Sequence, residues 1–435
     1  MSADHAHTLA AIGDRSARVV IIGQGYVGLP LALRASAVNF TVVGFDTDSA
    51  RIALLAAGHS YVGDVSDHEL SAALGAGRYT PSSDEQSIDG FDIAIITVPT
   101  PLLDGKPDLS FIEIASQLLA ERTRPGCCVV LESTTYPGTT TELVAPIIER
   151  TCGLRAGADY YLGYSPERVD PGNRMWTLEN TPKVVSGIDG ASLDVVDAFY
   201  SALVTTTVRV SDCAEAEMTK LLENTFRHVN IALVNELAVF ADRLGVDIWN
   251  VIDAASTKPF GFMRFTPGPG VGGHCLPVDP SYLAWHIETE TGSPFRFVEL
   301  ANRVNESMPA HVVERAQRLL GTAPLDRADV LLLGLSFKSR TSDCRESPSV
   351  DVARLLLDAG AHVTAVDPYV SPLNLPKGFP ITLVPLSADR LRAADLVILL
   401  VDHPEFEPQL LAEHARLLLD TKGVLRGRDF AGETL

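Results

Sequence analysis

Cys275 lies in the loop Pro267-Gly268-Pro269-Gly270-Val271-Gly272-Gly273-His274-Cys275-Leu276-Pro277-Val278-Asp279-Pro280, with a carboxylate four residues beyond the thiol. Glycine-rich backbone lets a substrate come close to a thiol, and the neighbouring acid is a candidate base. Asp279 is equally suited to capping a helix that starts near Pro280, since aspartate is favoured at an N-cap. His274 stays outside the candidate set because adjacent side chains point apart. Lys220 and Asn224 are four apart on a predicted helix and share a face. An ammonium and an amide directed at one point can stabilise an alkoxide or a tetrahedral oxyanion. Glu167, in Tyr164-Ser165-Pro166-Glu167-Arg168, follows a strand-like segment. It reads either as a general base or water-positioning group or as half of a surface ion pair with a nearby arginine.

These groups need an electron acceptor, and the N-terminal part of the chain provides the site for one. Gly23-Gln24-Gly25-Tyr26-Val27-Gly28 follows an apolar strand and opens an Ala/Leu-rich helix over 29–36. That context makes a G-x-G-x-x-G a dinucleotide fingerprint, with the pyrophosphate at the helix N-terminus. The next strand ends in Asp46, about 18 residues past Gly28, where an acid accepts from ribose hydroxyls and repels a 2′-phosphate. NAD is therefore expected as the cofactor. Arg51 is expected over the adenine face or in solvent. Pro99 and Thr100 (in Val98-Pro99-Thr100-Pro101) and Thr134 (in Glu132-Ser133-Thr134-Thr135) sit at two further strand ends. They read as cofactor contacts or as ordinary turn and cap chemistry. A hydride acceptor combined with a nucleophilic cysteine suggests an oxidation through a thiol-bound intermediate.

The elements that must position these residues are legible as a pattern. Apolar runs at 18–23, 41–46, 92–99, 128–134 and 183–187 alternate with helical stretches, which implies βαβ units and a parallel sheet. Residues 212–308 read as mostly helical, with two helices on either side of a loop at 256–280. Strand–helix alternation returns at 330–337, 362–367, 381–385, 395–401 and 417–421. The expected fold class is α/β: two Rossmann-like doubly wound parallel-sheet domains joined by a central helical domain. The expected boundaries are 15–210 for NAD binding, 211–310 for the helical domain and 311–435 for the second sheet. Near that second sheet, Phe337 and Lys338 could hold an aromatic base and an anionic group, and Arg345 could clamp a pyrophosphate.

A chain of 435 residues is too long for one core. Its net charge of −20 makes general nucleic-acid or anionic-membrane binding an unexpected role. The N-terminal residues lack an apolar signal core, and the run 396–401 is too short to span a bilayer. The six cysteines show neither metal-type spacing nor a small-scaffold disulfide pattern. No metal is expected, Cys127 and Cys128 read as buried core thiols, and the compartment reads as cytoplasmic.

Together the motifs resemble the UDP-glucose/GDP-mannose dehydrogenase family, in residues 23–28, 98–101, 132–138, 165–172, 220–224, 268–280 and 334–348. The resemblance implies oxidation of the C6 alcohol of a nucleotide sugar to a carboxylate with two NAD per turnover. It implies that Lys220 and Asn224 steady the oxygen while a base takes the hydroxyl proton through water near Asp279. Cys275 then attacks the aldehyde, a thiohemiacetal becomes a thioester, and water positioned by Glu167, Thr134 and Asp279 releases the acid. Tyr26 and Val27 join the cofactor set. Glu167, Arg168, Val169, Lys220, Asn224, Phe265, Gly270, Gly273, Phe337 and Lys338 form the substrate set.

The loop around Cys275 is similar to the branch acting on UDP-N-acetylhexosamines, and residues 258–266 are similar to UDP-N-acetylglucosamine dehydrogenases. UDP-glucose and TDP-glucose are the alternatives. Two family arginines have no clean counterpart, leaving Lys258 and Arg264 as candidates for one and Lys422 near the other. The partners expected are a UDP-sugar and a second copy of the chain, as a homodimer or higher homo-oligomer. The rival readings are a β-hydroxyacid dehydrogenase, which needs neither Cys275 nor a second sheet, and a non-catalytic NAD or nucleotide-sugar binder, which has no use for a thiol nucleophile.

Overall fold

A computed structural model describes residues 3–103, 105–170, 173, 175–273 and 276–435. The chain divides into two compact units, Met1–Glu223 and Asn224–Leu435. The division falls inside one long helix, Cys213–Leu244.

The first unit is built on β1 (Arg18–Ile22), β2 (Thr41–Phe45), β3 (Tyr79–Ser82) and β4 (Ile93–Ile96), followed by a small antiparallel pair, β5 (Leu102–Leu103) and β6 (Lys106–Pro107). It continues through β7 (Cys128–Leu131), β8 (Tyr161–Tyr164), β9 (Lys183–Gly187) and β10 (Thr207–Arg209). The sheet runs β10-β9-β8-β7-β4-β1-β2-β3. Its central strands are β-branched and buried on both faces, as Val19, Val20, Ile21 and Ile22 show, which is the composition a helix-covered parallel sheet requires. Strand order reverses between β1 and β4, so a crevice opens at their carboxyl ends.

One pairing departs from the expected parallel sheet: β9 runs antiparallel to β8, with Tyr164 opposite Ser186. The described residues between these strands contain no helix. Without a helical crossover the chain turns back beside its own strand. β3, β10 and β16 are strands that the apolar pattern does not announce. Each is short and lies at a sheet edge, and β3 carries Pro81 there.

The second unit holds β11 (Asp329–Leu333), β12 (His362–Val366), β13 (Thr382–Leu383), β14 (Leu396–Leu399), β15 (Leu418–Asp420) and β16 (Gly432–Thr434). They are ordered β13-β12-β11-β14-β15-β16, and every pair is parallel. Among the described residues the middle of the chain contains four helices where two were expected: Cys213–Leu244, Ile248–Ser256, Asp279–Thr291 and Arg296–Leu320. The extra breaks have local causes. Gly245 takes a positive φ of 67°, and Asp247 caps the next helix through the Trp249 and Asn250 N–H groups. No helix of the described residues is long and apolar enough to cross a membrane.

Candidate active site

The turn after β1 has the geometry of a dinucleotide cradle. Gly23 adopts φ 93°, and Gln24 N–H donates to Asp46 Oδ2 at 2.8 Å. The helix Gly28–Ala37 starts at once, with Val27 at its N-cap. A Cβ on Gly28 would lie 1.9 Å from the Gly23 carbonyl oxygen and 2.5 Å from Thr97 Oγ1, whereas a Cβ on Gly25 would meet nothing within 4 Å. One glycine thus lets helix and strand close together, and the other leaves open space at the helix N-terminus. Tyr26 is half exposed, Val27 is half-buried and Pro99 is exposed, with Thr100 and Thr134 half-buried at neighbouring strand ends.

Asp46 Oδ1 also accepts from Asp48 N–H at 2.9 Å, leaving further lone pairs on both oxygens for a ribose. Arg51 lies 3.3 Å from Asp48 and 4.0 Å from Asp46, with its guanidinium 5.7 Å from the Tyr61 ring centroid. Two carboxylates already claim that cation, and they oppose a 2′-phosphate. The residues therefore fit NAD. Thr97 and Ser133, which the sequence motifs do not single out, tie the strand ends together. Thr97 Oγ1 donates to the Ile22 and Gly23 carbonyls at 2.9 Å, and Ser133 Oγ donates to the Val98 carbonyl at 2.7 Å.

The same sheet carries a buried charge cluster. Glu132, at the carboxyl end of β7, contacts Lys183 Nζ and accepts from Tyr200 O–H at 2.5 Å. Lys183 also donates to the Pro166 carbonyl at 3.0 Å and stands 3.7 Å from Glu167 Oε2. Burial pushes the Glu132 carboxyl up to about 7 despite the ammonium beside it. Burial raises Glu167 too, but Lys183, the Val169 N–H, a hydrogen bond with Glu132 and Lys220 outweigh it and hold Glu167 below the usual carboxylate range. The alternative expected for Glu167 was a surface ion pair with a nearby arginine; the partner is instead Lys183, which is buried. Arg168 instead holds Glu223, at 2.6 and 3.3 Å, and the Pro182 carbonyl. Val169 contributes its N–H to Glu167 Oε1 at 2.5 Å.

Lys220 and Asn224 are buried one turn apart on the helix Cys213–Leu244. Asn224 Nδ2 donates to Asp279 Oδ2 at 2.5 Å. Asp279 does not cap its helix. Val278 occupies the N-cap with no side-chain bond and Asp279 is the first helical residue, so its carboxylate is available to the Asn224 amide. Asn235 Oδ1 accepts from Gly268 N–H at 3.0 Å, and its amide donates to Asn305 at 2.9 Å. Gly270 and Gly273 take φ 135° and 86°.

A Cβ at Gly273 would sit 2.6 Å from the Phe337 ring. Phe337 is thus covered by loop backbone on that side, a contact the expectation of base stacking did not include. Phe265 packs edge-on against Phe226 at 5.8 Å. Lys338 is half-buried. Arg345 is exposed and bound by both oxygens of Asp343 at 2.9 and 2.6 Å. Arg264 pairs with Asp253, Lys258 lies over the Phe260 ring, and Lys422 Nζ approaches Gly268, 3.7 Å from where its Cβ would be. Cys127 and Cys128 are core thiols, as expected. Cys275 and His274 lie outside the described residues, as do Pro171 and Gly172 of the 165–172 motif.

A doubly wound sheet with a glycine turn and two carboxylates, Asp46 and Asp48, at the end of the neighbouring strand fits an NAD-dependent oxidoreductase. Residues 17–204 match the NAD binding domain of the UDP-glucose/GDP-mannose dehydrogenase family, 214–307 its central domain and 331–427 its UDP binding domain. The chain belongs to that family, whose curated members act on CH–OH groups with NAD. It is 38% identical over 412 residues to the UDP-N-acetyl-D-glucosamine 6-dehydrogenase of Pseudomonas aeruginosa, covering 94% of this chain and 95% of that one. The solved UDP-D-ManNAc dehydrogenase of Pyrococcus horikoshii superposes with TM-score 0.84 at 32% identity over 95% of this chain and 98% of that one. The UDP-glucose dehydrogenase of Pyrobaculum islandicum superposes with TM-score 0.85 at 28% identity over 96% and 97%.

Proposed function

We propose that the chain oxidises the C6 primary alcohol of a UDP-N-acetylhexosamine, UDP-N-acetylglucosamine first, to the uronic acid. The observation that carries this reading is the buried Asn224–Asp279 hydrogen bond one helical turn from buried Lys220. The similarity to a UDP-N-acetyl-D-glucosamine 6-dehydrogenase across nearly the whole chain supports the choice of sugar. In this reading residues 15–210 hold NAD, 211–310 carry the reacting groups and 311–435 hold the UDP moiety.

The roles follow from charge. NAD supplies the hydride acceptor, and two are consumed per sugar. Lys220 and Asn224 stabilise the developing oxyanion, and Asp279 receives the hydroxyl proton through water. The Cys275 thiolate adds to the aldehyde carbon, and loss of a second hydride turns that thiohemiacetal into a thioester. Water, held by Glu167 and Thr134, attacks the acyl carbon as the C–S bond breaks. Alcohol plus water gives carboxylate, two hydrides and three protons. The held thiohemiacetal keeps the aldehyde from escaping.

A second copy of the chain is part of the proposal. Leu222, Phe226, Leu233, Leu237, Phe240 and Leu244 form an exposed apolar stripe at helical spacing on Cys213–Leu244, and a homodimer would cover it. Light scattering should then give twice 46.7 kDa. The decisive assay is NADH release against UDP-N-acetylglucosamine, UDP-N-acetylmannosamine, UDP-glucose and TDP-glucose. Two NADH per sugar and preference for an N-acetylated sugar are expected. One NADH per sugar, or a Cys275→Ser variant that still forms carboxylate, would sink the thioester scheme.

A further inference from the structure

The reversed strand β9 has a consequence for the site. Because β9 runs antiparallel to β8, its first residue, Lys183, lies at the carboxyl end of the sheet, beside the segment that leaves β8 as Ser165-Pro166-Glu167. A parallel strand would have put that residue at the opposite end. Lys183 is 3% exposed, and so is not a solvated surface charge. Its ammonium finds three oxygens: the Glu132 carboxylate from β7, the Pro166 carbonyl at 3.0 Å and Glu167 Oε2 at 3.7 Å. It also lies 5.1 Å from the Tyr200 ring centroid, and the Tyr200 hydroxyl closes the cluster on Glu132. Buried ion clusters of this kind add little stability relative to apolar packing, and their best-attested value is to fix one arrangement.

We propose that Lys183 is a positioning residue for Glu167: anchored by Glu132, its ammonium grips the Pro166 carbonyl and one oxygen of Glu167, and so fixes the carboxylate that holds the water attacking the acyl-cysteine. Val169 N–H binds the other oxygen, Oε1, at 2.5 Å, so the carboxylate is held from both sides. Glu132 is the counter-charge, and Tyr200 orients it. The inference rests on the assignment of Glu167 to thioester hydrolysis and extends that assignment to a residue without a part in the chemistry proposed so far.

The test compares Lys183→Met, the charge-neutral pair Lys183→Met/Glu132→Gln, and Glu167→Gln. Each is mixed with NAD and whichever sugar of the UDP panel turns over fastest. Rapid-mixing absorbance reads the NADH burst, and intact mass reads the acyl-enzyme. Both Lys183 variants should form the acyl-enzyme at close to the wild-type rate and hydrolyse it about 10- to 100-fold more slowly, the loss expected from misplacing a reacting group by about 1 Å. The acidic limb of the hydrolysis rate should also move to higher pH, because the ammonium leads the groups that favour the ionised form of Glu167, the Val169 N–H, Glu132 and Lys220 being the others. A merely structural lysine would lower the melting temperature and leave that limb in place. Should Lys183→Met fail to fold, the double variant, which removes the Glu132 charge together with the ammonium, carries the test. Wild-type hydrolysis and an unshifted limb in the folded Lys183 variants, with Glu167→Gln slow, would overturn the role of Lys183 alone. Wild-type hydrolysis in Glu167→Gln as well would overturn the reading beneath it.

Discussion

The turns after β1 and β11 begin alike and end differently. Gly23 and Gly334 leave their strands at φ 93° and 94°. In each turn the next N–H donates at 2.8 Å to an aspartate at the end of the neighbouring strand, Gln24 to Asp46 and Leu335 to Asp367. After that the first turn stays open. Gly25 has free space, Tyr26 is half exposed, and the helix begins at Gly28. The second turn is filled. Ser336 is fully buried and its N–H also binds Asp367, while His403 lies 3.2 Å from the same carboxylate and stacks on Tyr369. The helix there waits until Pro348.

One frame therefore serves two purposes. In the proposed function the open turn offers backbone N–H groups to a pyrophosphate, and the filled turn is the base of the long arm 335–347. The glycine fingerprint marks the first use, and its loss marks the second.

The largest effects should come from adding a methyl group to each turn. Gly28→Ala would drive Cβ into the Gly23 carbonyl, and Gly334→Ala would drive it to 2.4 Å from Val401 Cβ, so both should cost about 1–3 kcal/mol of stability or more. Only Gly28→Ala should also weaken NAD, by about two orders of magnitude, the factor that ~3 kcal/mol represents. Gly25→Ala should weaken NAD without lowering the melting temperature. NADH fluorescence titration and thermal unfolding separate these outcomes. Equal loss of NAD affinity in Gly334→Ala would break the distinction between the turns.

A smaller effect should follow from the paired aspartates. Asp46→Asn should reduce NAD affinity about 10- to 100-fold, the range set by a hydrogen bond to a charged group. Asp367→Asn should leave NAD affinity unchanged and lower the melting temperature, since its carboxylate serves Leu335, Ser336, Tyr369, Val370 and His403. Calorimetric NAD titration of the two variants tests this. NAD loss in both would mean that the second aspartate also faces cofactor.

Much of this contrast was legible in the sequence, because it is written in local signals. The fingerprint glycines, Asp46, the strand–helix alternation that returns at 330–337 and 362–367, and the Lys220–Asn224 helix all declare themselves by spacing. What stayed hidden depends on partners far along the chain. Lys183 looks like the polar start of an apolar strand, and only the reversed pairing of β9 makes it a ligand of Glu132 and Glu167. Asp279 looks like a helix cap until Asn224, 55 residues earlier, takes its carboxylate. His403 carries no motif at all; its place under Asp367 exists only once β14 lies beside β11.

The smallest and most discriminating difference should appear in pH. In the first unit, burial raises Glu217 from 4.5 to about 7, only partly offset by the Thr140 and Gly138 donors. Its protonated form is favoured by folding, so that contribution is complete below pH 4.5 and is lost as pH rises towards 7. Asp367 in the second unit behaves oppositely. Burial alone would raise it, but His403 and the turn N–H groups hold it below 3.8, so its contribution exists above that value and disappears as pH falls through the lower one. Thermal unfolding of Glu217→Gln against wild type should therefore gain on wild type between pH 5 and 7.5. Asp367→Asn should lose its deficit only below pH 4. Shifts of about 2–4 °C per kcal/mol are expected for units of this size. Parallel difference curves would mean that the two buried carboxylates are held in the same way, and that the plugged turn owes nothing to its aspartate's charge.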